Sequence, residues 1–281
     1  MPVIVTSDLD VASVNIRKQL IRLFGFREKE EEPSFDGNPV YRSGEILLIS
    51  SKRELVDTEH VEQCLKTDLM IFASRHRSTA GKPALLVHCT GNWTKEAELG
   101  GMPYELAVAP ASAMSEALLE LARQKDKFEL LGYEVTLECT HHGPTSMSTP
   151  LLFVELGSNE EHWRDEVAGE AVARTVFRVA QGVRERRRAA LGVGGPHYAP
   201  NFTRVVQSSS EIAIGHIIPN YVLEAFRSEM VRKAIERTFE KVGLVLLDWK
   251  GLRSDQRELI KPIINELNLE TLKTHEITKS S

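Results

Sequence analysis

The sequence predicts an α/β fold: a largely parallel, mixed sheet flanked by helices, in one domain spanning 1–281 with a C-terminal subregion from about residue 200. Two observations predict it. Short β-branched or apolar runs alternate with amphipathic stretches along the chain, and several runs are nearly all apolar, as strands covered on both faces must be. No repeat or linker-like tract breaks the alternation.

The elements follow in order. VIVTS (3–7) reads as the first strand, and Asp8 or Asp10 then caps a helix whose apolar stripe holds Val14, Leu20, Ile21 and Phe24. Glu28 to Glu32 form an acidic loop suited to solvent. EILLISS (45–51), DLMIFAS (68–74), PALLVHC (83–89), YEVTLEC (133–139) and PLLFVEL (150–156) are five further strands. A helix over 112–126 opens on Ser112, and a long helix over 162–191 has weak points at Gly169 and Gly182. LGVGGPHYAPNF (191–202) reads as a Gly/Pro-rich loop of the kind that carries function. A strand at 211–218, a helix over 221–241, a strand at 244–248 and a helix over 254–267 complete the chain.

Composition narrows the class. Hydrophobic residues make up 42%, charged residues 27%, and the net charge is −5. This is ordinary for a soluble protein and does not suit a generic polyanion binder, although a local basic patch would still act. Three cysteines without a CxxC suggest neither a zinc ribbon nor a disulfide framework. The opening MPVIVTSDLD lacks a basic region followed by an apolar stretch, and no apolar run approaches the roughly 20 residues of a membrane helix. A cytoplasmic protein, monomeric or a small homo-oligomer, is expected.

The histidines carry the functional argument. Of nine, His76, His88, His141, His142, His197 and His216 fall at strand ends or in the Gly-rich loop, where the edge of a parallel sheet would gather them. His60, His162 and His275 read as surface residues. Several imidazoles at one edge supply neutral nitrogen ligands for Zn²⁺ and groups that titrate near neutral pH. His76, His88 and His197 are the expected ligands.

ECTHHGPTSMSTP is the most informative segment. Side chains alternate along extended backbone, so His141 and His142 should point apart. His142, nearer the Gly143 turn, is the expected acid–base group, and His141 should orient the loop or a metal. Thr145 and Ser146, with Ser148 and Thr149, offer hydroxyls and amides to an oxyanion. HCTGNWT adds Asn92 as a polar contact and Trp93 as a stacking face or packing residue. Tyr198 is a second stacking candidate. Arg184, Arg186, Arg187 and Arg188 form the densest basic run, at an expected helix C-terminus where cations are favoured anyway. There is no GxSxG elbow and no cysteine in an activated motif, so a covalent nucleophile is not expected.

SRHRS (74–78), HCTGNW (88–93), ECTHHGPT (138–145), GGPHY (194–198) and IGHIIPNY (214–221) together resemble the archaeal and plant type of D-aminoacyl-tRNA deacylase, from about residue 1 to about 270. The resemblance implies hydrolysis of the ester between a D-amino acid and the terminal ribose of tRNA, including aldehyde-modified forms. It also implies bound zinc and a sheet like those of peptidyl-tRNA hydrolases and phosphorylase-like hydrolases. An activated ester needs only a positioned water, a base and an oxyanion site, which suits the histidine set. The arginine run would hold tRNA phosphates, with Trp93 or Tyr198 stacking on the terminal base. Two other readings compete: a zinc exopeptidase or amidohydrolase, for which Glu138 and Glu155 would be the acidic groups, and a non-catalytic tRNA-binding or zinc-storage protein.

Overall fold

The computed structural model describes residues 1–28 and 34–278, so the acidic run expected at Glu28–Glu32 lies outside the described residues apart from Glu28. In chain order the elements are β1 Val3–Ser7, α1 Val11–Phe24, β2 Arg27–Glu28, β3 Tyr41–Ser43, β4 Ile46–Ser51, α2 His60–Cys64, β5 Met70–Arg77, β6 Ala84–His88, α3 Ala111–Lys127, β7 Glu134–Leu137, β8 Leu151–Ser158, α4 Glu160–Trp163 and α5 Glu166–Ala180. Then come β9 Arg188–Val193, α6 Pro200–Ser208, β10 Ile212–Ile218, α7 Glu229–Glu236, β11 Val242–Leu247, α8 Ser254–Asn265, β12 Glu270–Lys273 and α9 Thr274–Ile277.

These strands form two sheets. The larger has the order β2-β3-β4-β1-β5-β8-β6-β7, the smaller β10-β9-β11-β12. Strands β1, β4 and β8 are buried along their whole length, matching their largely apolar sequences. Asp10 caps α1 by accepting from Ser13 N at 3.0 Å. The buried stripe of α1 is Ala12, Ile16 and Leu20 with Asn15 and Gln19, whereas Val14 faces outward, 38% exposed. Helices α1 and α3 each pack on α5, and all three pack on the larger sheet. No helix among the described residues is long and apolar enough to cross a membrane.

The larger sheet is mixed in a way that bears on the site. β5 and β8 run parallel, but β6 is antiparallel to β8 and carries β7 with it. The C-terminal ends of β5 and β6 therefore point in opposite directions, and the expectation that one sheet edge gathers the histidines is corrected. Register does it instead. His76 pairs with Gly157 and Gly157 with Ala84, while Phe72 pairs with Phe153 and Phe153 with His88. Paired residues share a face and alternate residues return to it, so Ser74, His76, Glu155 and His88 stand on one face of the sheet.

The C-terminal third departs furthest from expectation. The helix predicted to run to 191 stops at Ala180, and Arg188–Val193 is instead a strand inside the smaller sheet, paired on both sides. The run Ala189–Val193 is buried throughout, a demand met by a two-sided strand and not by an amphipathic helix end. The loop expected at 191–202 shrinks accordingly, since α6 begins at Pro200. Within 221–241 only Glu229–Glu236 is α-helical, and β12 was not foreseen. Ser112 does not cap α3. The carboxylate of Glu240 does, accepting from the Ala111 and Ser112 amides at 2.9 Å each.

Candidate active site

The segment 138–142 joins the two sheets. Glu138 N bonds Val87 O of β6, Cys139 N bonds His197 O at 2.9 Å, and Thr140 N bonds Ile217 O of β10 at 3.1 Å. It carries His141 and His142 over the face that presents His76, His88 and Glu155, and it draws in the 194–198 loop with His197. The result is a cleft of about 380 Å³ lined by, among others, Ser74, His76, His141, His142, Glu155 and His197.

Three imidazoles meet at its base. The His88, His141 and His142 rings lie 4.3 to 4.8 Å apart between centroids, and one ring nitrogen from each falls within 4.8 Å of the others. Nδ1 of His141 contacts the Cys139 carbonyl at 2.8 Å, Nδ1 of His142 the Gly143 carbonyl at 2.6 Å, and Nδ1 of His88 the Cys89 carbonyl at 3.3 Å. A carbonyl only accepts, so each Nδ1 carries a proton, and in His141 and His142 the Nε2 is left with its lone pair. Nε2 of His88 is buried with no hydrogen-bond partner. Burial, reinforced by the neighbouring imidazoles, pushes His141 well below the usual histidine range and His142 down to about 3. Neutral imidazoles fixed on their own carbonyls are what a metal ion requires of its ligands.

A second layer is charged. Glu155 receives Ser74 Oγ at 2.7 Å and lies 3.4 Å from His76 Nδ1 and 3.6 Å from His88 Nε2. Glu138 lies 2.9 Å from His197 Nε2 and 3.5 Å from His76 Nδ1. Burial disfavours the charge on Glu155, but His76 and His88, 3.4 and 3.6 Å from its oxygens, outweigh it and hold this carboxyl well below its usual range. Burial likewise opposes protonation of His76, yet Glu155 and Glu138 raise it to about 9, and Cys139 with Glu138 raises His197 to about 11. Two further groups hold ligand atoms within 4.8 Å of one another: His76, Glu138 and Glu155, and Cys139, His141 and His197.

The sequence reading put His76, His88 and His197 together as metal ligands, and the structure groups them differently. His88 sits with His141 and His142, while His76 and His197 pair with carboxylates. His216 stands apart: fully buried, it lies 3.1 Å from the carbonyls of Ala107 and Arg237 and from Thr140 Oγ1, and burial lowers it to about 4. His60 and His162, expected at the surface, are half-buried and bonded to Asp36 and Ser158.

The remaining residues are placed as follows. Thr145 is buried and its hydroxyl accepts from Met102 N at 2.8 Å, which makes it a brace. Ser146 is exposed. The amides and hydroxyls of Ser148 and Thr149 are all taken by Glu62, so the expected oxyanion turn is occupied by the protein's own carboxylate. Asn92 Nδ2 holds the carbonyls of Gly100 and Met102. Trp93 is buried and donates to Thr140 O at 2.8 Å, so it packs and cannot stack on a base. Gly143 is fixed by close approach: a β-carbon there would lie 2.4 Å from Gly101 N and 2.6 Å from Val56 O. Tyr198 keeps an exposed ring, with its hydroxyl 2.9 Å from His76 Nε2.

Arg184, Arg186 and Arg187 lie before β9 and Arg188 opens it, at the end of that strand away from the 194–198 loop. Arg187 bonds Ser209 O, and Arg188 bonds Gly243 O and Glu270. Arg184 and Arg186 are exposed. A larger cavity, about 850 Å³, includes Arg186, Phe239 and Glu240 in its lining but no histidine or cysteine.

The sequence reading missed the partnership of Glu138 and Glu155 with the histidines. The signal was present, since a carboxylate within an otherwise apolar strand such as LLFVEL must be paired. It also missed the contacts of Cys139, whose Sγ lies 3.4 Å from His197 Nδ1 and 3.1 Å from Tyr221 Oη. Cys139, His197 and Glu138 thus stand in the order of a thiol triad, but Cys139 is fully buried and not part of the cleft lining.

Comparisons with known proteins identify the family. A family model described as D-aminoacyl-tRNA deacylase matches residues 64–272, which include every histidine of the cleft. The chain belongs to the D-aminoacyl-tRNA deacylase family. It is 42% identical to the D-aminoacyl-tRNA deacylase of Pyrococcus horikoshii and 41% identical to that of Pyrococcus furiosus, covering 97% of this chain and 100% of each relative. The crystal structure of AF0625, a conserved protein of unknown function, matches with a TM-score of 0.89 at 30% identity over 99% of this chain and 97% of the other. Fold and family are thereby shown.

Proposed function

We propose that this chain hydrolyses the ester linking a D-amino acid to the terminal ribose of tRNA, releasing both in the cytoplasm, and that Zn²⁺ is the metal it uses. One observation carries the proposal: three imidazoles, each fixed on a neighbouring backbone carbonyl, converge beside two buried carboxylate–histidine pairs. Family membership supplies the substrate class.

The residues fit zinc on two grounds. The donor set is nitrogen-rich, and the buried Nε2 of His88 has no other partner. His88, His141 and His142 would hold the ion, which supplies Lewis-acid polarisation of the ester carbonyl and lowers the pKa of water toward about 7. Glu155, held ionised between His76 and His88, accepts the proton shed by the attacking water. His76, kept protonated by Glu155 and Glu138, passes a proton through the Tyr198 hydroxyl to the departing ribose oxygen. The exposed Tyr198 ring is the surface on which the terminal base stacks. His142 acts as a ligand in this reading and not as the acid–base group.

The test is incubation with tRNA charged with the D- or the L-form of one amino acid, with and without chelator. Release of the D-form alone, abolished by chelator and restored by Zn²⁺, is expected. Equal release of both forms, or none, overturns the function. Chelator-insensitive release overturns the metal.

A further inference from the structure

His76 faces three partners drawn from three different parts of the chain. Its Nδ1 lies 3.4 Å from Glu155 and 3.5 Å from Glu138, and its Nε2 lies 2.9 Å from the Tyr198 hydroxyl. Proton transfer works over heavy-atom distances of about 2.6 to 3.2 Å, so a displacement of a few tenths of an ångström decides whether this imidazole can take part. The strand that carries it is short of a neighbour at that end. β1 pairs with β5 only from Met70 to Phe72, and among the described residues no strand continues the ladder on that side. Side chains take over: Ser13 Oγ donates to Ala73 O at 2.6 Å, and Asp10 Oδ2 accepts from Arg75 N at 2.8 Å. The other oxygen of Asp10 caps α1 at Ser13 N, so one buried carboxylate ties the helix start to the strand end.

Trp163, the last residue of α4, holds His76 itself. Its Nε1 donates to His76 O at 2.8 Å, and the indole is buried. The guanidinium carbons of Arg75 and Arg77 lie 5.9 and 5.4 Å from the centre of the same ring, within cation–π range. The indole therefore engages three consecutive residues of β5, the arginines by their side chains and His76 by its carbonyl. On the neighbouring strand Gly157 pairs with His76, and a β-carbon there would lie 2.8 Å from His76 Cβ and 3.0 Å from its Cδ2. The imidazole thus lies against bare backbone, with no room to retreat toward β8. Trp163 is not part of the cleft lining, and Asp10, which is, has each oxygen engaged by a backbone amide.

We propose that Trp163 and Asp10 are positioning residues: by fixing the backbone at Arg75 N and His76 O they hold the His76 imidazole between Glu155, Glu138 and Tyr198. The proposal rests on the deacylase reading above, in which His76 passes a proton toward the departing ribose oxygen. A tryptophan that only fills the core, or an aspartate that only caps a helix, contributes stability and nothing more. A positioning pair contributes to kcat as well, and does so only while His76 is present to be positioned.

The experiment is a pair of double-mutant cycles on tRNA charged with D-tyrosine, with kcat, KM and melting temperature measured for each protein. Trp163→Phe keeps a ring in the core and removes the N–H, and Asp10→Asn leaves one oxygen for two amides. Each is made in the unaltered protein and in His76→Ala, which should lose about 10²-fold in kcat and still turn over measurably. With His76 present, each variant should lower kcat about 10-fold with KM within twofold. In His76→Ala each should change kcat by less than twofold, because the group it positions is gone. The melting temperature should fall by about 2 to 4 °C in both backgrounds alike. The two variants remove separate contacts, so either cycle decides if the other protein does not fold. A loss of kcat that is the same with and without His76, no loss in either background, or undiminished kcat in His76→Ala overturns the proposal and leaves the deacylase function standing. An unaltered protein that releases no D-tyrosine overturns the reading on which it rests.

Discussion

The histidine cleft and the Arg184–Arg188 turn are the two densest concentrations of chemistry-bearing residues in this chain, and the structure treats them in opposite ways. The cleft and its histidines draw on residues from 10 to 198, from β5, β6, β8 and the segments after β1, β4, β6, β7 and β9. Long-range strand pairing brings them together and leaves a buried ring nitrogen without a protein partner. The turn is contiguous in sequence, yet two of its four arginines are engaged with the protein's own carbonyls and a carboxylate. Density along the chain therefore says little about function. Convergence in space with unfilled valences says more.

The largest effect should come from breaking the convergence. His141→Ala removes one member of the three-imidazole group and is expected to abolish stoichiometric zinc and lower kcat about 10³-fold, the scale of several kcal/mol of Lewis-acid stabilisation. Elemental analysis with single-turnover kinetics checks it. Full zinc content with near-normal kcat would show that the group is not the metal centre.

Next is the charged layer. Glu155→Gln uncouples His76 from His88 and should cost about 10²-fold in kcat while zinc content is retained. The alkaline limb of this variant's pH–rate profile should move below the pKa of about 9 that Glu155 and Glu138 together impose on His76, because the amide no longer helps to hold that proton. A profile superimposable on that of the unaltered protein removes Glu155 and His76 from acid–base work.

His216 sharpens the contrast from inside the histidine set, as the one member that serves structure. Its folded pKa is about 4, against about 6.5 in the unfolded chain. The unfolded state therefore takes up the proton first. The stability that depends on neutral His216 is complete above pH 6.5 and is lost as pH falls toward 4, up to about 3 kcal/mol. Thermal melts across this window should show a shallower acid slope for His216→Gln than for the unaltered protein. Equal slopes would mean that His216 is not buried neutral.

The smallest effects belong to the arginines. Arg188→Ala loses a strand-edge bond to Gly243 and a half-exposed pair with Glu270, so a destabilisation of about 1 kcal/mol is expected, with kcat unchanged. For Arg184 and Arg186, which point outward, each phosphate contact would change the logarithmic salt slope of tRNA binding by about 0.7 to 0.9. An unchanged slope for Arg184→Gln with Arg186→Gln assigns the whole turn to solvent and structure.

Local physics wrote much of this molecule into its sequence. The apolar strands 3–7, 46–51 and 151–158 had to be buried on both faces, Asp10 had to cap α1, and histidines closing strands had to sit near a ligand-facing surface. The motifs around His76, His88, His141 and His197 also carried the family. Tertiary structure decided what those histidines do. Whether an imidazole is a ligand or a protonated partner depends on what faces it: His141 and His142 face other imidazoles, whereas His76 and His197 face Glu155 and Glu138 across pairings some 60 to 80 residues apart. The same holds for β9, which reads as a helix end until two parallel neighbours pair with it. Side-chain chemistry is fixed by the residue, but protonation, partnership and direction are set by neighbours that only the folded chain supplies.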